Sequence, residues 1–519
     1  MRVVLCLAAL LCFYRFWVRD LTYFDESRYV EVAREMSDAS SWSLPLLYDE
    51  PYTEKPPLYF WTVGLLGRVF GFGSFAAFLP NVLAHFLTVL LVFDLGRRTL
   101  SARAGAMAAL ALAACPLSLH FARSAQLDAL LVLSETLAAY GFLLALETGA
   151  FRFGMLGALG IALGSLVKGH IVLVALLAPL CFAFLRRDFS FLRRPLRLLS
   201  GAILALLPFL LWFGWVVRDL GWEQALDLYF RRQVIDHTAG RVNHYSPIPI
   251  GTPYLASLAL MLPFIAFLPG AIRASKDRLW PRTYLWWGLL FFSLFALVPA
   301  KREIYLLPLA VPLSLLAGDY LASVDLGKRP LFRGARAIGL FFSALFAVAA
   351  AGLPIFAGWQ DAFSVDALLA AVGGLILGGF AFRAFQRQSS TAPLLLLFEV
   401  AVVSLFAEPA VGAYSTARFG TRSFGELIQR QVPPGEPVVV LGFTKAHAVR
   451  FFGQRRLKFV EEVWELEPCL EADRTLFVVT KQKDGERLER SRTLRSDLLL
   501  REERQSENKA LRLYSVRSP

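Results

Sequence analysis

Asp25-Glu26-Ser27-Arg28 opens, and Glu54-Lys55-Pro56-Pro57 closes, a polar segment set between hydrophobic spans. Asp25 and Glu54 are carboxylates, Arg28 and Lys55 are cations, and Tyr23, Tyr29, Tyr52 and Tyr59 are phenols with an apolar body and a polar tip. Such a set suits a sugar phosphate. A cation meets the phosphate, a carboxylate takes a proton, and phenols line a partly dry cleft. How this segment is flanked decides the fold.

On both sides the chain is apolar. Of 519 residues, 56% are hydrophobic and 13% aromatic, and the mean hydropathy is positive. That composition excludes an ordinary soluble domain and predicts an α-helical polytopic membrane protein. About thirteen spans of roughly 15–22 residues are expected, judged against the ~20 that cross a bilayer. They centre on 3–18, 78–96, 104–120, 128–146, 153–167, 170–185, 198–217, 253–272, 284–299, 304–322, 337–357, 365–382 and 392–412. The first reads as an uncleaved span, because no small-residue cleavage site follows and Phe16-Trp17 suits an interface.

The net charge is +13. Its cations cluster in short loops, among them Arg97, Arg98 and Arg103, Arg186 and Arg187, Arg273, Lys276 and Arg278, and Arg383 and Arg387. That is the positive-inside pattern, so these loops are expected in the cytoplasm, and no nucleic-acid partner is implied. The other loops are 19–77, Arg123–Asp128, Lys168-Gly169, 218–251, Lys301-Arg302 and the chain after 413. They are expected on the outer face, with the N-terminus inside and the C-terminus outside. The five cysteines form no disulfide framework.

Near Tyr414 charge rises and apolar runs shorten. Val438–Leu441, Leu476–Val479 and Leu511–Val516 read as strands, and Ser423–Val432 and Thr444–Phe452 have helical spacing. The predicted organisation is a membrane domain over 1–413, with 19–77 as its first outer loop, and a small extracytoplasmic α/β domain over 414–519.

Asp25 has two readings, the N-cap of an interfacial helix over 27–37 or a site acid. Asp128 begins a span on the same side, one turn after Arg123, which is open as a salt-bridge partner. Glu135, two turns on, reads as a structural hydrogen-bonding group. Lys55 is held by the Pro56-Pro57 turn, either snorkelling or clamping a phosphate. Lys301 and Arg302, with Tyr305 one turn later, read as a phosphate headgroup site or an interfacial belt. His237 and His244 in loop 218–251, with Glu54, are candidate ligands of a divalent cation, without H-x-x-x-H spacing.

Tyr23–Tyr29, Glu31–Met36, Trp42, Pro51–Tyr59, Gln126–Asp128, Val167–Gly169 and Lys301–Pro308 together resemble the GT-C membrane glycosyltransferases. Within them the chain is most similar to the bacterial lipid A aminoarabinose transferases and the protein O-mannosyltransferase-like enzymes. The resemblance covers about 1–310 by motif and the rest by architecture alone. It implies transfer of a sugar from a polyprenyl (undecaprenyl) phosphate to a lipid A-like or other envelope acceptor, at the periplasmic face of the bacterial inner membrane.

By the same resemblance Asp25 and Asp128 are the catalytic acids. Lys55, Arg28, Tyr52, Tyr305, Lys301 and Arg302 hold the donor phosphate. Glu54 and His244 are the ligands of a zinc-like ion; the run His244-Tyr245-Ser246-Pro247 departs from the family's pattern there. The implied partners are the polyprenyl-linked sugar, a lipid or glycan acceptor and membrane lipids. Two alternatives remain, a protein O-glycosyltransferase of the same family and a transporter of polyprenyl-linked lipids. The second predicts repeated halves, and none is evident.

Overall fold

Where no water competes, every backbone N–H and C=O must be satisfied within its own segment, so apolar runs fold as helices. The computed structural model describes residues 2–22, 24–38, 42–52, 54–227, 229, 231, 254, 258, 260–261, 264–298, 302–325, 327–328, 330–332, 334–359, 364–419, 422–443, 446–470, 475–491, 493–501 and 511–517. Its first part contains α1 (Arg2–Phe13), α2 (Phe24–Asp38), α3 (Leu58–Phe70), α4 (Ser74–Thr99), α5 (Ala102–Ala114), α6 (Pro116–Ala122), α7 (Asp128–Thr148), α8 (Phe151–Lys168), α9 (Leu177–Arg186) and α10 (Pro195–Leu220). Further long helices are Leu279–Leu297, Ala310–Asp325, Ala335–Trp359, Val365–Gln386 and Ala392–Phe419.

Eight described helices are long and apolar enough to cross a bilayer, or nine if the pair α5 and α6 is one span. That is fewer than the thirteen expected: Leu279–Leu297, which holds most of the expected span 284–299, is not among the eight, and the remaining difference has three reasons. The expected span 104–120 breaks by 61° between Ala114 and Pro116. Proline lacks the N–H that a helix needs and forces the residue before it out of the helical region; Cys115 sits at φ −64°, ψ 116°. Val4–Phe13 and Ile265–Ser275 are apolar but short, and most of 253–263 lies outside the described residues.

The third reason is that Phe151–Arg186 counts as one segment by length and composition, although the chain reverses within it. Lys168 Nζ lies 2.7 Å from Asp128 Oδ1, which puts the end of α8 at the start of α7. Arg186 Nη1 lies 2.8 Å from Glu147 Oε2, which puts the end of α9 at the end of α7. α8 and α9 are therefore antiparallel, as the separate spans 153–167 and 170–185 required. The turn is at Gly169, whose φ of +70° favours glycine.

α7 and α8 touch backbone to backbone. A Cβ on Gly141 would stand 2.2 Å from the Gly157 nitrogen, and one on Gly160 would stand 2.4 Å from the Ala138 nitrogen. Small residues at such contacts are how helices associate in lipid, where burial of apolar surface gives no drive.

The two ends of the bundle differ in chemistry. At one end Arg98 binds Asp94 at 2.5 Å, Arg278 binds Asp319 at 2.6 Å, and Arg103 pairs with Asp325. At the other end lie α2, the 123–127 turn, Lys168-Gly169 and Arg302. The basic loops and the candidate site thus occupy opposite ends.

The helix Ala392–Phe419 runs past the change in composition at Tyr414. The first loop holds the short strands β1 (Leu46–Leu47) and β2 (Glu50–Pro51); beyond Phe419, β3 (Val438–Leu441), β4 (Leu457–Val460), β5 (Leu476–Lys481), β6 (Arg495–Arg501) and β7 (Leu511–Arg517) form one sheet in the order β4-β3-β5-β7-β6. β3 is parallel to β4 and β5, and β7 is antiparallel to β5 and β6. Val438 and Val440 pack under the helices Arg422–Gln431 and His447–Gly453. Val439 and Leu441 face the opposite side, with Leu466 and Leu488. A strand buried on both faces reads as a continuous apolar run, as Val438–Leu441 does.

Candidate active site

α2 begins at Phe24, so Asp25 lies inside its first turn and is not the residue before it. A carboxylate there is stabilised by the helix N-terminus. Tyr29, Val30, Ala33 and Met36 are buried on one side of α2. One turn after Asp25, Arg28 Nη2 donates to Asp25 Oδ1 at 2.7 Å. Its Nη1 donates to Glu54 Oε2 at 3.1 Å, and Tyr52 Oη donates to the same oxygen at 3.1 Å. The guanidinium also lies over the rings of Tyr29 and Tyr52, 5.1 and 5.7 Å from their centroids. Arg28 thus joins the two charged runs that frame the first loop.

Pro57 sits directly before α3, so the pair Pro56-Pro57 fixes the approach of Glu54 and Lys55. The segment before it is a tight hairpin. Leu46 pairs with Pro51 and Leu47 with Glu50. Tyr48 and Asp49 both have positive φ, +61° and +66°, as a two-residue type I′ turn demands.

Lys55 is partly buried. Burial lowers its pKa to about 8, Lys168 and Arg28 push the same way, and Glu54 and Asp128 oppose them. Groups from both halves of the site therefore meet at Lys55. Asp128 opens α7 and binds Lys168, whose ammonium lies 5.6 Å from the Tyr305 ring centroid. Arg302 Nη2 reaches Asp25 Oδ2 at 3.4 Å. The fold so gathers Asp25, Arg28, Tyr52, Glu54, Lys55, Asp128, Tyr305 and Arg302. Lys301 and His244 lie outside the described residues, as does His237.

Glu54 is held by Arg28 and Tyr52. Among the described residues no three His, Cys, Asp or Glu side chains group as metal ligands. Of the two expected ligands, only Glu54 is among the described residues.

Two features went unassigned in the sequence. Lys168 stands within the run Val167–Gly169, but nothing local marks it as the partner of an acid forty positions earlier. Glu26, next to Asp25, is fully buried; it accepts from Arg19 Nη1 at 2.7 Å, Arg19 Nη2 at 2.5 Å and the Ala125 nitrogen at 3.0 Å. Arg123 donates to the Leu11 carbonyl at 2.6 Å and, unlike a salt-bridge partner, ties the turn to α1. Asn81 Nδ2 holds the carbonyls of Ser124 and Gln126 at 2.6 and 2.5 Å. This framework fixes the turn that delivers Asp128. Glu135 is buried, its Oε1 is unpaired among the described residues, and it lines a small cavity with Thr136, Trp287 and Phe291.

Residues 54–215 match the sequence family described as dolichyl-phosphate-mannose-protein mannosyltransferase. Over 311 residues the chain is 32% identical to an undecaprenyl phosphate-alpha-4-amino-4-deoxy-L-arabinose arabinosyl transferase of Edwardsiella ictaluri, covering 57% of this chain and 54% of that one. The match spans about half the length of that relative. The corresponding protein of Pseudomonas aeruginosa PAO1 is 29% identical over 387 residues, covering 72% and 69%. In fold, ArnT from Cupriavidus metallidurans, solved bound to undecaprenyl phosphate, superposes with a TM-score of 0.81 at 19% identity, covering 99% of this chain and 97% of that one. The oligosaccharyltransferase of Archaeoglobus fulgidus superposes with a TM-score of 0.51 at 13% identity, covering 92% and 69%. The chain therefore shares the overall fold of ArnT from Cupriavidus metallidurans.

Proposed function

We propose that this protein transfers a sugar from a polyprenyl phosphate, of the undecaprenyl type, to a lipid A-like or other cell-envelope acceptor. The reaction takes place at the periplasmic face of the bacterial inner membrane. The basic end of the bundle faces the cytoplasm, and the site and the sheet domain after about residue 413 face outward. The observation that carries this reading is Lys55. It is a partly buried ammonium set among Arg28, Lys168, Asp128 and Glu54, with Arg302 reaching Asp25 beside it.

In the transfer, the bond from the sugar's anomeric carbon to the phosphate oxygen breaks, and the polyprenyl phosphate leaves with the electron pair. Charge builds on its oxygens, where Lys55, Arg28, Arg302 and Lys301 stabilise it, while Tyr52 and Tyr305 flank the group. In a partly dehydrated site such charges count for more than in water. The acceptor oxygen bonds to the opposite face of the anomeric carbon, inverting it. If the acceptor is a hydroxyl, Asp25 takes its proton. If it is a phosphate, no proton need move, and Asp25 orients the acceptor and faces the positive charge that develops on the sugar. Asp128, paired with Lys168, keeps a second carboxylate beside the reacting groups. A divalent ion, if bound, would be held by Glu54 and His244 and would supply positive charge there.

The match of residues 54–215 to the mannosyltransferase family favours a second reading, in which the acceptor is a protein hydroxyl. One experiment addresses both. Purified membranes receive radiolabelled undecaprenyl-phosphate sugars, and wild type is compared with Asp25→Ala and Lys55→Ala. Label on lipid A or another glycolipid, lost in both variants, supports the first reading. Label on protein supports the second. Donor lipid bound without transfer of any sugar would overturn both and leave a lipid transporter.

A further inference from the structure

The helix His447–Gly453 of the sheet domain lies against α2 and the 45–52 hairpin. Its Phe451 and Phe452 are buried in one apolar cluster with Tyr29, Ala33, Met36, Tyr52 and Tyr59. Two polar contacts one turn apart accompany this packing. Arg450 Nε donates to Glu31 Oε1 at 2.9 Å, and its Nη2 donates to Glu35 Oε1 at 3.1 Å. The Glu31 side chain is fully buried, and those of Glu35 and Arg450 are about one-tenth exposed. His447 Nδ1 lies 2.5 Å from Tyr48 Oη, and the two rings stack at 13°.

Each contact meets a different arm of the candidate site. Glu31 and Glu35 lie one and two turns beyond Arg28 on α2. Tyr48 is at the tip of the hairpin whose far strand leads to Tyr52, Glu54 and Lys55, and the Tyr52 nitrogen is bonded to the Pro45 carbonyl at 2.7 Å. Glu35 joins the arms, since its second oxygen accepts from the Asp49 nitrogen at 3.1 Å. The turn at Tyr48 and Asp49 places two non-glycine residues in the left-handed region, a conformation that persists only when its surroundings hold it. His447 and Glu35 are those surroundings.

We infer that His447 and Arg450 are positioning residues of the site: through Tyr48, Glu31 and Glu35 they hold the hairpin and α2 in the register that brings Lys55 to Arg28 and Asp25. The inference rests on the transfer reading for its kinetic consequence, but not for its structural one. Each residue acts through the first loop, so the sheet domain completes the site instead of standing beside it.

The test uses the full-length protein in lipid nanodiscs, with His447→Ala, Arg450→Ala, Arg450→Lys, Tyr48→Phe and the double variant His447→Ala/Tyr48→Phe. Amide exchange is followed in 24–38, 45–56 and 438–517, and transfer is measured on the same samples. Faster exchange in 45–56 and 24–38 is expected, with 438–517 unchanged. Turnover should fall about tenfold to a hundredfold, as small misplacements of a reacting group produce. Arg450→Lys should restore part of it, and the double variant should lose no more than its more severe parent.

If a tail substitution loosens 438–517 itself, Glu35→Gln decides, because it weakens the same junction from the α2 side. Unchanged exchange in 24–56 together with unchanged turnover would overturn the inference. If wild type transfers no sugar at all, the transfer reading fails, and the exchange experiment alone still decides this one.

Discussion

Lys168 Nζ lies 2.7 Å from Asp128 Oδ1, joining the last residue of α8 to the first residue of α7. The pair closes the α7–α8 hairpin at the site end and places a second ammonium near Lys55. Both side chains are largely buried, with the acid about 10% exposed. Removing one partner of such a pair leaves an uncompensated charge, at a cost of roughly 3 kcal/mol. Lys168→Met should therefore lower the unfolding temperature, and Lys168→Met/Asp128→Asn should recover most of it without recovering transfer. Thermal unfolding in detergent checks this. Equal stabilities for single and double variants would show that the pair is not coupled.

The second prediction concerns pH. Lys55 has its pKa lowered to about 8 by burial, with Lys168 adding to the shift. A donor phosphodiester binds the protonated amine, so affinity is full below about pH 8 and is lost as pH rises through it. The donor itself does not titrate in that range. The alkaline limb of kcat/KM should fall near pH 8, move upward in Lys168→Met, and disappear in Lys55→Arg, whose guanidinium stays charged. A limb that stays in place in Lys55→Arg would assign it to another group.

Much of this was readable before any coordinates. Helical segments, the polar first loop and the strands at 438, 476 and 511 follow from composition and periodicity, which are local properties. So does the segregation of basic loops from the site. What could not be read is set by contacts distant in sequence. Pairing of Lys168 with Asp128, of Arg302 with Asp25, and of Arg450 with Glu31 and Glu35 each needs the fold first. β4 was missed because Leu457-Lys458-Phe459-Val460 is short and its middle is exposed, so it lacks the fully apolar run of β3. The break at Pro116 was local and legible, but a helical hydropathy window passes over it.

Arg28 is a hub, bonding Asp25 and Glu54 while lying over two aromatic rings. A planar guanidinium spans two carboxylates while lying flat on a ring face, a geometry that the compact ammonium of lysine does not reproduce. Arg28→Lys keeps the charge yet should lower kcat/KM by about tenfold or more, with little change in stability. Activity close to wild type would mean that only charge is required there.

Glu35 gives a stability signature. Burial, with Glu31 beside it, raises its pKa from 4.5 to about 7, and the Asp49 nitrogen and Arg450 only partly offset this. Between those values the folded protein holds more protons than the unfolded chain, so this residue's contribution to stability falls as pH rises from about 4.5 to about 7 and is level above. Glu35→Gln should flatten the decline of unfolding temperature over that window. A slope unchanged by the substitution would place the titration elsewhere.

The α7–α8 contact offers the last prediction. At Gly141 an added Cβ would stand 2.2 Å from the Gly157 nitrogen and 2.6 Å from the Phe153 carbonyl oxygen, both backbone atoms that cannot step aside. Gly141→Val must push the helices apart, and the displacement carries along α8 to Lys168. The substitution lies at the middle of α7, away from the candidate site residues. If helix contact sets the Lys168–Asp128 distance, transfer should fall and the alkaline limb of Lys55 should move upward as Lys168 withdraws. Gly154→Ala is the control on the same pair of helices, since its nearest neighbour would be the Ala145 side chain at 3.9 Å, an ordinary contact. It should leave both readouts unchanged. Loss of transfer in Gly141→Val with no shift of the limb would separate the packing of the bundle from the electrostatics of Lys55.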